Sequence, residues 1–79
     1  MAWTGLTGYD FIDPAEVTPA RAAQIRAWRV DQDMSWRGVA AAATEAWGPG
    51  FGDNQLYGRD LCNAAARALG QDPDADPWN

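Results

Sequence analysis

The sequence predicts an all-α domain of three main helices, and two observations carry that expectation. The stretch from Ser35 to Leu69 reads as helix, glycine-rich break, helix, with Gly48-Pro-Gly-Phe-Gly52 between two amphipathic segments. Each candidate helix also has a start signal in front of it: Thr18-Pro19, Ser35, and Asp53 or Asn54. Side-chain oxygens at such positions accept from orphan amides, and proline at a first helical position has no amide to leave unpaired.

Seventy-nine residues make one small domain, and a chain of this size buries only about 60% of its unfolded surface. Its core must be dense. The five tryptophans, Trp3, Trp28, Trp36, Trp47 and Trp78, suit that need, since a buried aromatic removes roughly 150–250 Å² from water. The domain is expected over residues 1–71, followed by a flexible acidic tail over 72–79.

Residues 1–17 are expected to form an irregular arm. Trp3, Leu6, Tyr9, Phe11 and Ile12 follow no helical period and no alternation, while Asp13-Pro14-Ala15-Glu16 resembles a cap and starts a short turn. The first helix is expected from Pro19 to about Gln32. It has Ala22, Ile25 and Trp28 on one face and Ala23, Ala27 and Val30 on a second, shallower one.

The second helix runs from the Ser35 cap to Trp47. Trp36, Val39, Ala40, Ala43 and Trp47 fall at i, i+3, i+4, i+7 and i+11, a continuous helical stripe whose two tryptophans are expected to be buried. Gly48 and Pro49 stop it, and Phe51 is expected to plug the loop. The third helix is expected from Gln55 to about Leu69, closed by Gly70. Its buried face centres on Leu61 with Tyr57, Gly58, Ala64, Ala65, Ala68 and Leu69, and Cys62 lies at the edge of that face.

Net charge is −5, distributed unevenly. Asp10, Asp13 and Glu16 lie in the arm, and Asp72, Asp74 and Asp76 in the tail. Residues 18–71 hold all six arginines against Asp31, Asp33, Glu45, Asp53 and Asp60, which is 6 − 5 = +1. The acidity belongs to the termini. No apolar run approaches the roughly 20 residues of a membrane span, and there is no basic-then-apolar leader. A single cysteine and the absence of histidine remove intramolecular disulfides and the usual thiolate and imidazole metal sites. A reducing, cytoplasmic setting is the expectation.

Nothing in the chain predicts an enzyme or a cofactor. Cys62 has no histidine to serve as its base and reads as a structural thiol. Asp31 with Asp33, and the tail aspartates, lack the spacing and closing glutamate of a calcium loop. The glycines at 48, 50 and 52 have neither a preceding strand nor a following lysine, as a phosphate loop requires.

Met34-Ser-Trp-Arg-Gly-Val-Ala40 resembles the start of the first helix of helix-turn-helix DNA-binding domains, where a capping serine or threonine leads to an aliphatic residue and then a small alanine. Val39 and Ala40 fill those places. The resemblance spans roughly residues 20–69 and implies that the helix beginning at Gln55 is the recognition helix, entering the major groove of double-stranded DNA.

On that helix Gln55, Arg59 and Asn63 stand at i, i+4 and i+8, with Arg67 continuing the row. Gln and Asn pair with adenine edges and Arg with guanine. An ordinary solvated face would carry the same residue types. The sequence therefore sustains two functional expectations: a small DNA-binding or transcription-associated protein, or a non-enzymatic interaction module whose acidic, tryptophan-bearing termini dock on a larger protein.

Overall fold

The structure is a computed structural model and describes residues 12, 14–52, 54–75 and 77–78. Three helices organise it, and among the described residues there is no strand. The arm residues Trp3, Leu6, Tyr9 and Phe11, and Asp53, Asp76 and Asn79, lie outside the described residues.

A single 3₁₀ turn, Pro14–Glu16, precedes α1 (Pro19–Arg26). The Thr18 hydroxyl accepts from the Arg21 amide at 3.3 Å, the cap that the Thr-Pro pair signals. The segment expected to continue as α-helix to Gln32 changes pitch at Ala27 and runs as a π-helical turn over Ala27–Asp31. The wider turn alters which side chains face inward. Ala22 and Ile25 are buried and Trp28 half-buried, whereas Ala23 and Val30 of the second face are exposed.

The second helix, α2 (Trp36–Trp47), starts where Ser35 Oγ accepts from the Gly38 amide at 3.0 Å. It stops at Gly48, whose φ of 116° lies in a region that L side chains avoid. Val39, Ala40 and Ala43 are fully buried, but the two tryptophans closing the stripe are only half-buried. A large ring at the end of a three-turn helix in so small a domain runs out of protein to cover it.

A 3₁₀ turn over Pro49–Phe51 carries the chain towards α3 (Gln55–Ala68), and Phe51 is buried, as expected of a plug. The Thr44 hydroxyl donates to the Gly52 carbonyl and ties the loop back to α2. Asn54 is the cap that acts: its Oδ1 accepts from the amides of Leu56 at 2.9 Å and Tyr57 at 3.2 Å. At the far end the Gln71 amide reaches the Ala66 carbonyl at 2.7 Å across Gly70, with φ 80° at the glycine. That is a Schellman closure.

Both other helices pack against α3. Its buried set is wider than a single stripe: Gly58, Asp60, Leu61, Cys62, Ala64, Ala65 and Ala66. Cys62 is therefore fully interior rather than at an edge. The helices α2 and α3 come close at Gly58, where a Cβ would stand 1.8 Å from the Trp36 carbonyl oxygen, so only glycine lets the backbones meet there. Asp60 is a buried carboxylate whose Oδ2 accepts from the Ile12 amide at 2.6 Å, fixing the entry of the chain to α3.

The stretch expected as a flexible acidic tail makes contacts at Trp78. Trp78 packs against the core cluster. Its carbonyl accepts from Arg29 Nε at 2.9 Å, and its indole Nε1 donates to Gln71 Oε1 at 3.1 Å.

Candidate functional site

The i, i+4 spacing of Gln55, Arg59, Asn63 and Arg67 advances each residue by about 40° around a helix of roughly 100° per residue. The structure keeps all four on one strip of α3. Gln55, Arg59 and Arg67 are exposed and Asn63 is half-buried. The same geometry places Leu56 between Asn63 and Arg67, and it is 40% exposed. The row as read from sequence omitted Leu56, although its position off the Leu61-centred face is a legible signal.

The strip is bounded on both sides. Asp60 is buried on one flank and Cys62 on the other, and Ala66, which the same geometry sets between Gln55 and Arg59, is buried as well. The helix is thus seated in the domain, and Gln55, Leu56, Arg59 and Arg67 are the side chains it leaves exposed. Asn54 caps its first turn, so the amides there are already directed at a side-chain oxygen.

Arg59 does not stand alone. Its guanidinium carbon lies 5.6 Å from the centre of a Trp36 ring, and that of Arg29 lies 3.8 Å from a Trp36 ring. Both distances fall within cation–π range. Arg29 is further committed through Nη1 to the Met34 carbonyl and through Nε to the Trp78 carbonyl. Trp36 therefore joins the row to the connection before α2 and to the docked tail. No sequence period links residues 29, 36, 59 and 78, which is why this cluster was not legible beforehand.

Burial pushes the Cys62 thiol up to about 12, with the Arg29 charge acting in the opposite direction. It remains a thiol at neutral pH, whereas nucleophilic chemistry uses the thiolate. Among the described residues no three His, Cys, Asp or Glu side chains are grouped to hold a metal ion. Asp31 and Asp33 are exposed, and Asp72 Oδ1 is used locally, accepting from the Asp74 amide at 2.9 Å.

A second surface lies at the other end of α2. Trp47 stands 5.3 Å from Trp28 and 5.6 Å from Phe51, centre to centre, with the Arg21 guanidinium carbon 5.0 Å from its ring. Shallow recesses of about 300 and 310 Å³ flank it, one bordered by Arg21, Gln24 and Trp28, the other by Ile12, Pro49 and Phe51. Arg21 is held by Glu16, through the carboxylate at 3.7 Å and the backbone carbonyl at 3.1 Å.

No protein-family model, curated protein or solved structure matches the chain. Among the described residues no helix is long and apolar enough to cross a membrane.

Proposed function

We propose that the protein is a small DNA-binding, transcription-associated protein that presents α3 to the major groove of double-stranded DNA. The observation that carries this reading is the strip itself: Gln55, Arg59, Asn63 and Arg67 share the solvent-facing side of a helix whose flanks are buried. A base-reading side chain needs a rigid support. Here Gly58 against Trp36 and Leu61 in the core provide it.

In this reading Arg59 makes a bidentate contact to a guanine edge, Gln55 or Asn63 meets adenine, and Leu56 lies against a thymine methyl. Arg67, two turns further on, meets phosphate and adds affinity without sequence preference. The test is selection of duplexes from a randomised pool by the full chain at low salt, followed by binding of selected and random duplexes. Arg59→Ala is expected to reduce discrimination by about 1–3 kcal/mol, and Arg59→Lys to restore little of it. Failure to enrich any sequence, or an equal loss on both duplexes, sinks the reading.

A second reading, an interaction module docking on a larger protein, is favoured by the half-buried Trp47 with its two recesses. Co-purification of one defined protein, unaffected by nuclease and abolished by Trp28→Ala, would support it over the first.

A further inference from the structure

The tail leaves α3 at Gly70, just beyond Arg67, and by residue 78 it has returned to Arg29. Arg29 shares Trp36 with Arg59. Asp72 and Asp74 are exposed and lie in the segment between these two points. The chain that carries them is therefore anchored at one end beside Arg67 and at the other on Arg29. The return is built rather than incidental. Trp78 contributes its ring to the core, its carbonyl to Arg29 and its indole NH to Gln71. It does so at a φ of 65°, a conformation that a bulky residue keeps only when its surroundings over-determine it.

We propose that Asp72 and Asp74 act as an electrostatic brake on the α3 row, latched by Arg29 and Trp78, so that a DNA backbone must displace or outweigh these two carboxylates to reach Arg59 and Arg67. This rests on the DNA-binding reading and adds its regulation. Phosphates and carboxylates compete for the same positive potential, and over the roughly 8 Å Debye length of physiological salt such charges still act on one another. The brake is consequently strongest at low salt. Anything that captures Trp78 releases it.

The test uses the full chain and three variants: Asp72→Asn with Asp74→Asn, Trp78→Ala, and all three substitutions together. Each binds a labelled duplex across a salt series, with helix content and melting recorded alongside. The paired Asn variant leaves the core untouched and is expected to bind about three- to tenfold more tightly than the unmodified chain near 50 mM salt, the gain shrinking as salt rises. Trp78→Ala is expected to tighten binding as well, and to add little on the Asn background, because the latch acts through the charges it positions. If the unmodified chain binds duplex and the Asn variant binds it no better, the brake is overturned while the DNA reading stands. If no form binds duplex even at low salt, both fall.

Discussion

At the Trp47 end of α2 the ring does the holding, packed at an angle against Trp28 and edge-on against Phe51, with an arginine over it. At the Trp36 end the backbone does it: the Trp36 carbonyl abuts Gly58 of α3, and the ring serves as a platform for Arg29 and Arg59. Both residues are half-buried and close the same helical stripe, so pattern alone makes them equivalent. They differ in what is lost when they are cut back. One end of the helix is fixed by aromatic area, the other by a close backbone approach that charges then surround.

The largest test of this contrast is Gly58→Ala. Alanine ordinarily stabilises a helix by up to about 1 kcal/mol over glycine. Here its Cβ would meet a backbone oxygen at 1.8 Å, with no rotamer to relieve the clash, so α2 and α3 must separate. A net loss on the order of 3 kcal/mol in urea unfolding is expected, at the upper end of overpacking costs. A neutral or stabilising result would show that the helices do not meet there.

How far this was legible follows from the same residues. Caps and stops are local chemistry, so Thr18, Ser35, Gly48 and Gly70 marked helix ends to within a residue or two. The all-α class was legible for that reason. The π turn after Arg26 was not, because it keeps the composition of a helix and changes only its pitch. The burial of Asp60 was illegible too: a carboxylate in an amphipathic segment reads as solvated, and a partner such as the Ile12 amide, 48 residues away, leaves no local trace. For the candidate strip, i+4 spacing fixed a common face. Trp36 beside Arg59, and Trp78 beside Arg29, depend on tertiary packing that leaves no periodic trace.

Trp47→Ala comes next in size. Truncating a fully buried tryptophan costs about 3–5 kcal/mol, and a half-buried one less, so a loss of about 2–3 kcal/mol is expected. Trp36→Ala is expected to cost about half as much, since alanine keeps the carbonyl that meets Gly58. Denaturant midpoints of the two variants measure the contrast directly. Equal losses would mean that Trp36 also holds its end by ring area, and the division between the two ends would collapse.

The smallest effect is confined to alkaline pH and reports on the core beside the Trp36 end. Cys62 is interior, and burial raises its thiol from the ordinary 9.0 to about 12, with Arg29 lowering it in opposition. The folded protein therefore retains the thiol proton at pH values where the unfolded chain has begun to lose it. Below pH 9 both states are protonated and the group contributes no slope. Between pH 9 and 12 the unfolded state binds fewer protons, so stability falls as pH rises, by up to about 1.4 kcal/mol per pH unit from this group. Urea unfolding at pH 8, 9 and 10 of the natural chain and of Cys62→Ala checks this. The alanine variant starts from a lower stability, because a buried sulfur is gone, but its curve should be flatter above pH 9 by about 1 kcal/mol per unit. Parallel curves would mean that Cys62 ionises in the folded state as it does in the unfolded chain. The core would then be open to water beside Arg29, and the Trp36 end would be looser than its backbone contact implies.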